Sequence, residues 1–262
     1  SVSIPIDISQ KVLAYDTFVY GIDVSDARGT IDWDKVKAAG VEFAIIDAGY
    51  GNANKYPKQK DKCFDYNYSN AKRVGIKCGV YWFSYASSID AAIEEADSCY
   101  NVIKDLELEY PVFFDVENDP NNPIILNSFG SNKQKITEMT LAFCDRLASY
   151  GVKVGVYCNT NWFNNYVDKN QIINKGYYIW QAHYYPSESN PELKYDKSSI
   201  CDIWQYSEKG HVDGINGYCD LNVSYKNFYN PAPAVSDLKI SYPSGKGAPS
   251  GNLKQGSSFG IY

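Results

Sequence analysis

Eight short runs of apolar, strand-favouring residues recur between residues 20 and 223. Within each run the apolar residues are nearly continuous rather than alternating, which is typical of strands buried on both faces. The pattern therefore predicts eight strands. In chain order the runs are YGIDVS (20–25), EFAIIDA (42–48), IKCGVYWF (76–83), PVFFDV (111–116), KVGVYC (153–158), YYIWQA (177–182), CDIWQY (201–206) and YCDLNV (218–223).

Helical patterns lie between the early runs. DWDKVKAAG (32–40) ends on a glycine, which is a common helix stop. Residues 61–75, 90–108 and 131–150 are also predicted to be helical, and the last two ranges carry apolar residues at helical spacing. The segment SNKQ (131–134) resembles a capping box, with Ser131 as the residue that begins the last of these helices.

The order of these elements predicts a mixed α/β fold, an irregular TIM-like β/α barrel. It would contain about five β/α units followed by three strands with short connections. The helical patterns become sparse after residue 160, so the second half of the barrel is expected to be irregular. A doubly wound open sheet is the alternative. The chain has no GxGxxG or GxxxxGK phosphate loop, which disfavours that alternative.

Residues 1–230 are predicted to form this barrel as one domain, and residues 231–262 a separate segment. The separate segment is rich in Pro, Gly and Ser, which is typical of a linker. Its last stretch, GNLKQGSSFGIY, is interpreted as the start of a further, truncated module. A disordered tail is the other interpretation.

Composition and charge narrow the classes of function. The net charge of −6 disfavours nucleic acid as a partner. No apolar run approaches the roughly 20 residues of a membrane span. Because the chain has only two His, a His-rich metal site or a Ser-His-Asp triad is not indicated, and no metal or cofactor is expected. Aromatic residues make up 15% of the chain, and their flat rings suit either sugar faces or a core.

Seven cysteines occur without a CxxC pair, so the sequence indicates neither a zinc site nor a redox motif. Cys201 and Cys219 lie at the starts of two late predicted strands, which a turn-rich segment joins. If these strands are neighbours, the two Cα atoms could approach the roughly 4.4–6.8 Å that a disulfide requires. A disulfide between them is one hypothesis, and buried free thiols are the other.

The segment PVFFDVEN (111–118) ends a predicted strand in two acids, Asp115 and Glu117. Side chains at positions i and i+2 of a strand share one face, so both carboxylates are expected to point the same way, with Cα atoms roughly 6–7 Å apart.

In β/α barrels the chemistry lies at the carboxyl ends of the strands. The same end of the other strands adds three more carboxylates: Asp23, Asp47 and Asp220.

Aromatic and amide side chains follow several of the other strands. They are Tyr81, Phe83, Tyr157, Asn159, Trp180, Gln181, Trp204 and Gln205. Carboxylates beside aromatic walls are suited to glycoside hydrolysis, because one acid can be kept protonated while another stays ionised. The alternatives are a cation site for the acid pair, a helix cap for Asp23, and core positions for Trp180 and Trp204.

The ordered set of motifs resembles glycoside hydrolase family 25, the Chalaropsis-type lysozymes. The motifs are GIDVSDARGTIDWDKVKAAGVEFAIIDAGYG, GIKCGVYWFSYA, PVFFDVEN, GVYCNTNWF, YIWQAHY and DIWQYSEKGHVDGINGYCDLNV. The resemblance covers residues 19–225. It implies an irregular β/α barrel and hydrolysis of the β-1,4 bond between N-acetylmuramic acid and N-acetylglucosamine in peptidoglycan.

The resemblance also implies roles for individual residues. Glu117 matches the general acid and Asp115 the acid that assists it, while Asp23 and Asp220 match the remaining site carboxylates. The sugar groove would be lined by Tyr81, Tyr157, Trp180, Gln181 and Trp204. The expected mechanism uses the acetamido group of the substrate as nucleophile, with retention at the anomeric centre; an inverting attack by water, with Asp23 or Asp220 as base, is the rival.

Two positions depart from the family pattern. Asp47 stands where a basic residue is usual, and Arg28 where Gln is frequent. We hypothesise that Arg28 and Asp47 pair near the rim of the barrel, so that a positive charge has moved from the second strand to the loop after the first.

The expected function is that of a muramidase, secreted or associated with the cell wall, acting as a monomer on bacterial peptidoglycan. A chitinase-like hydrolase of another polysaccharide is the first alternative. A non-catalytic cell-wall binding module is the second, and the presence of all four matching acids argues against it.

Overall fold

The structure is a computed structural model that describes residues 18–185 and 196–229. Eight strands close into one barrel in chain order. The strands are β1 (Val19–Val24), β2 (Phe43–Tyr50), β3 (Lys77–Phe83), β4 (Val112–Asp115), β5 (Val154–Asn159), β6 (Tyr178–Ala182), β7 (Ile203–Gly210) and β8 (Cys219–Ser224). The helices are α1 (Trp33–Ala38), α2 (Phe64–Arg73), α3 (Ile89–Ile103), α4 (Ile124–Phe129), α5 (Lys133–Ala148), α6 (Thr160–Asn165) and α7 (Lys169–Asn174).

The direction of the last strand makes the barrel irregular. Strands β1 to β7 run parallel, whereas β8 is antiparallel to both β7 and β1. The connection between β7 and β8 is short and contains Gly214 and Gly217, both with positive φ. A short connection of this kind can join antiparallel strands, while a parallel pair needs a crossover of a dozen or more residues. The amino end of β8 therefore lies at the rim where the other strands end.

Two layers of apolar side chains stabilise the barrel. Its interior is filled mainly by aromatic side chains, among them Phe43, Phe113 and Trp180. Glycines at positions 21 and 155 leave the space that the rings of Phe43 and Phe113 occupy, since a Cβ atom there would collide with them. Outward-facing strand residues pack against the helices in a second layer. Each large side chain removed from water contributes about 1.5–3 kcal/mol.

The predicted irregular β/α barrel is confirmed, and closure of the sheet rules out the doubly wound alternative. All eight predicted strands form, as do the four predicted helices, now α1, α2, α3 and α5. The pattern missed α4, α6 and α7, because helices of six residues show too little of the 3.6-residue period. Helix α1 is equally short, and the glycine stop at Gly40 was what indicated it. Among the described residues, no helix combines the length and the apolar character needed to cross a bilayer. The predicted tail, 231–262, lies outside the described residues.

The start of α5 differs from the prediction by one residue. Asn132, not Ser131, is the cap, and its side chain accepts a hydrogen bond from the backbone N–H of Lys135 at 3.0 Å. Asn caps a helix as well as Ser does. Gly130, with φ of 59°, closes α4 immediately before, which leaves Ser131 in the turn between the two helices.

The hypothesis of a Cys201–Cys219 disulfide is wrong. All seven cysteines are free thiols, and six of them are buried. Both residues lie near the amino ends of neighbouring strands, but β7 and β8 are antiparallel. Cys219 is therefore opposite Gly210, at the far end of β7 from Cys201. The alternative of buried free thiols is the one that the structure supports.

Candidate active site

Four of the predicted acids meet at one rim of the barrel. Asp23 lies at the carboxyl end of β1, Asp115 ends β4, and Glu117 follows two residues later. Asp220 is the second residue of β8 and is the register partner of Asp23. The expectation that Asp220 lies at the carboxyl end of its strand is wrong. Because β8 runs in the opposite direction, the residue still reaches the same rim.

Asp23 is held by two side-chain amides. Nε2 of Gln205 and Nδ2 of Asn222 donate hydrogen bonds of 2.8 and 2.7 Å to Oδ2 of Asp23, which is 6% exposed. Burial raises the pKa of Asp23 to about 6, and these two donors, together with Asp220 and the charge of Arg28, oppose a larger rise.

Aromatic side chains of the barrel interior fix the orientation of both amides. Nε1 of Trp180 donates to Oδ1 of Asn222 at 2.8 Å. The hydroxyl groups of Tyr157 and Tyr184 donate to Oε1 of Gln205 at 2.8 and 2.5 Å. Since each amide oxygen already accepts a hydrogen bond from a ring, each amide nitrogen is left to face Asp23. The network thus favours the ionised form of Asp23.

Asp220 and Asp23 form a carboxyl–carboxyl pair. Burial, and then the charge of Asp23, raise the pKa of Asp220 to about 8, while Arg28 opposes the rise. A side-chain hydrogen bond joins the two acids. Two carboxyl groups in such contact hold one proton between them over a wide pH range. Because Gln205 and Asn222 donate to Asp23, the shared proton is favoured on Asp220.

Asp115 and Glu117 have a different environment. Burial, followed by the charges of Glu117, Asp47 and Asp23, raises the pKa of Asp115 well above its ordinary value. Burial, followed by the charges of Asp23 and Asp119, raises the pKa of Glu117 to about 7. Oδ1 of Asp115 is buried and has no hydrogen-bond partner among the described residues. A buried acceptor without a donor is costly, and the cost is larger for a charged carboxylate, which adds to the rise in the pKa of Asp115.

The hypothesis that Arg28 pairs with Asp47 is wrong. The guanidinium of Arg28 donates to the backbone carbonyl of Tyr218, and its charge acts on the carboxylates of Asp23 and Asp220. The carboxylate of Asp47 accepts a hydrogen bond from the backbone N–H of Gly49 at 2.8 Å. Burial, and then the charge of Asp61, raise the pKa of Asp47 well above its ordinary value.

The structure separates the five residues predicted to line the sugar groove. Tyr157 and Trp180 are 7% and 1% exposed and lie inside the barrel, and Tyr81 packs on the edge of Trp180 at 6.1 Å between ring centroids. Tyr81 and Tyr157 nevertheless face the acids, and a side-chain hydrogen bond joins Tyr81 to Asp47. Burial, followed by charges that include those of Asp23 and Asp115, raises the pKa of both hydroxyls.

Gln181 and Trp204 are not brought to the site, because alternation along β6 and β7 turns them to the outer face of the barrel. Gln181 accepts a hydrogen bond from Nζ of Lys169 at 2.5 Å, and Nε1 of Trp204 donates to the backbone carbonyl of His183 at 2.8 Å.

Two residues of the site were not singled out from the sequence. Asn222 lies two positions after Asp220, and strand alternation places both side chains on one face. That spacing was the available signal. Tyr184 follows β6, and nothing in the pattern distinguished it from the many other tyrosines. Within the described ranges, no group of three or more His, Cys, Asp or Glu residues is arranged to hold a metal ion.

A barrel rim carrying acids with separated pKa values is an arrangement suited to cleavage of a glycosidic bond. The family model "Glycosyl hydrolases family 25" matches residues 22–215. The chain belongs to this family, as the motifs in its sequence had indicated.

Solved and curated relatives agree with this assignment. Lysozyme M1 of Streptomyces globisporus is 31% identical over 210 residues, which cover 78% of this chain and 67% of that protein. The autolytic lysozyme of Clostridium acetobutylicum is 30% identical over 202 residues, covering 77% of this chain and 54% of that protein. This chain thus spans about half the length of the clostridial relative. The crystal structure of the bacterial lysozyme of Streptomyces coelicolor superposes with a TM-score of 0.60 at 29% identity, over 79% of this chain and 92% of that one.

Proposed function

We propose that the barrel is a muramidase, which hydrolyses the β-1,4 bond between N-acetylmuramic acid and N-acetylglucosamine in peptidoglycan. Family membership and the two relatives named as lysozymes support this proposal. One observation carries it: Glu117, with a pKa of about 7, stands beside Asp115, whose buried Oδ1 has no donor among the described residues. This pair can protonate a leaving group and hold a substrate amide at the same time.

Glu117 acts as the general acid in this proposal. A pKa of about 7 leaves the carboxyl half protonated at pH 7 and largely protonated in mildly acidic solution, and the protonated form can donate its proton to the glycosidic oxygen. The proton departs with the leaving sugar as the C–O bond breaks. The ionised Glu117 can afterwards remove a proton from the water that completes hydrolysis.

Asp115 assists rather than attacks. The carbonyl oxygen of the substrate acetamido group forms a bond to the anomeric carbon, and the amide N–H becomes a stronger donor as positive charge develops on it. The carboxylate of Asp115 accepts this hydrogen bond. Burial, and then the charge of Glu117, raise the pKa of Asp115, and protonation of Glu117 removes the second of these two causes. The proposed reactive state has the proton on Glu117 and the charge on Asp115. Attack by the acetamido group and then by water retains the configuration.

Asp23 and Asp220 supply a fixed negative potential opposite this pair. The two amide donors keep Asp23 ionised, and a charge held in place costs no reorganisation when the oxocarbenium-like transition state forms. The barrel is expected to act as a monomer outside the cell or at the wall, where peptidoglycan lies, and to lyse bacterial walls.

The test is clearing of purified peptidoglycan, followed by turbidity, with chitin in parallel. We expect clearing of peptidoglycan and release of products whose new reducing end, identified by borohydride reduction and mass spectrometry, is N-acetylmuramic acid. N-acetylglucosamine at the new reducing end, or hydrolysis of chitin alone, would contradict the proposal. A folded protein that cleaves neither polymer would contradict it as well.

A further inference from the structure

Three aromatic rings form a cluster at the rim on the side of β2 and β3. Phe83 is the register partner of Asp115, and Tyr50 is the register partner of Phe83. The ring of Tyr85 lies 5.2 Å from that of Phe83 and 5.5 Å from that of Tyr50, measured between centroids. Tyr50, Phe83 and Tyr85 are named here the rim aromatic cluster.

The rim aromatic cluster is more exposed than the aromatic side chains of the barrel interior. Tyr50 is 37% exposed and its two partners are half-buried, whereas Trp180 in the interior is 1% exposed. A side chain as deeply buried as that of Trp180 offers almost no surface to a bound polymer. The cluster presents flat apolar surface to solvent next to the acids, and such surface is suited to the apolar face of a sugar ring.

The cluster is fixed in position relative to Glu117. The hydroxyl of Tyr85 donates a hydrogen bond to Oδ2 of Asp119 at 2.7 Å, and Asp119 lies two residues beyond Glu117. The backbone N–H of Tyr85 donates to Oε1 of Glu95 at 2.9 Å, and Glu95 is only 2% exposed. Two anchors of this kind hold the ring before any ligand arrives, which lowers the entropic cost of binding.

We propose that the rim aromatic cluster is a distal glycan subsite, which stacks against a further sugar of the same chain beyond the two sugars at the cleaved bond. This inference rests on the proposed function. A glycan strand is a polymer, so a strand cleaved at Glu117 continues past the rim in both directions. On the β2–β3 side its path crosses the exposed ring of Tyr50.

The test measures binding rather than turnover, in a Glu117→Gln background. Peptide-free glycan strands of alternating N-acetylglucosamine and N-acetylmuramic acid, fractionated as di-, tetra-, hexa- and octasaccharides, are titrated by calorimetry. We expect affinity to rise with length in the parent. Tyr50→Ala and Tyr50→Leu should weaken binding of the longest strand about tenfold, a typical change for one lost apolar face, and affect the disaccharide least. Thermal melts confirm that each variant is folded.

Tyr56→Ala is the matched control. Tyr56 is more exposed, at 52%, and lies outside the cluster, so its removal should leave the length dependence unchanged. Equal length dependence in the parent and in both Tyr50 variants would overturn the distal subsite while leaving the proposed function intact. A folded parent that binds no strand of any length would instead overturn the proposed function, and the subsite with it.

Discussion

The two sides of the barrel rim hold their acids in different ways. On the side of β1 and β8, Asp23 accepts hydrogen bonds from Gln205 and Asn222 at 2.8 and 2.7 Å. On the side of β4, Oδ1 of Asp115 is buried and has no donor among the described residues. The fold itself supplies two donors to Asp23, whereas the described residues supply none to Oδ1 of Asp115.

This difference in donors separates the pKa values of Asp23 and Asp115, which are equally buried. Burial raises the pKa of Asp23 and of Asp115 alike, but the donors limit that of Asp23 to about 6, and the pKa of Asp115 rises further. The β1–β8 side thus holds Asp23 ionised near neutral pH, whereas the β4 side holds the proton that Glu117 gives up in the proposed reaction. We therefore assign the electrostatic role to the β1–β8 side and the chemical role to the β4 side.

Replacement of the proton donor should have the largest effect. Glu117→Gln should lower kcat by roughly 10²–10⁴-fold, since the amide cannot protonate the leaving oxygen. The parent should lose kcat/KM as the pH rises through about 7, the pKa of Glu117, and the residual activity of the variant should lack that loss. Glu138→Gln, on the exposed face of α5, is the matched control and should behave as the parent. A Glu117→Gln enzyme that keeps a tenth of the parental rate would contradict the assignment.

Removal of the charge at Asp115 should have the next largest effect. Asp115→Asn preserves size and shape but cannot carry the negative charge that stabilises the acetamido group during attack. We expect a loss of about 10²-fold in kcat, which is typical for removal of one electrostatic contact to a developing charge, with KM nearly unchanged. Steady-state kinetics on soluble glycan fragments measures both constants. A rise in KM at constant kcat would mean that Asp115 serves binding alone.

Loss of one amide donor should move the pH profile rather than abolish activity. In Asn222→Ala, Asp23 loses a donor, so its pKa should rise above about 6 and its charge should appear only at higher pH. The acid limb of the pH profile of kcat/KM should move to higher pH by about one unit, with roughly tenfold less activity at pH 5. Gln205→Ala should shift the limb in the same direction. Gln181→Ala, on the outer face, should leave it in place, and an equal shift there would contradict the role of the network.

The smallest expected effect is on thermal stability, which should increase when Asp220 is replaced by Asn. The pKa of Asp220 rises from an ordinary 3.8 to about 8 on folding, through burial and the charge of Asp23. A group whose folded pKa is raised contributes stability fully only below its unfolded pKa, and loses it as the pH rises through the folded value. Asp220→Asn should therefore raise Tm by about 5 °C at pH 8 and by less at pH 5. Asp105→Asn, at an exposed turn, is the control; a drop in Tm at pH 8 for Asp220→Asn would refute the argument.

Much of the fold was predictable because the strands are buried on both faces. Runs such as IKCGVYWF stay apolar throughout, and glycines and polar segments bound them. The meeting of Asp23, Asp115 and Glu117 at one rim followed from a rule of parallel barrels, that strand ends share a rim. Asp220 reached the rim for another reason, the reversal of β8, which no apolar pattern records.

The remaining errors concern the face on which a side chain lies. Gln181 and Gln205 each follow a Trp directly, in YIWQA and DIWQY. Only Gln205 points into the barrel. A shift of one residue moves every side chain of a strand to the opposite face of the sheet. In a continuously apolar strand the sequence does not indicate which residues face the barrel interior. The amide network depends on this choice of face, and so does the burial of Trp180 and Trp204.

Proton NMR of the first product tests the division of roles between the two sides most directly. If Asp115 assists an attack by the acetamido group, hydrolysis of a soluble glycan fragment should first release the β-anomer, before mutarotation produces the α-form. Initial release of the α-anomer would contradict the account. It would mean that water attacks directly, and it would move the base role across the rim to Asp23 or Asp220.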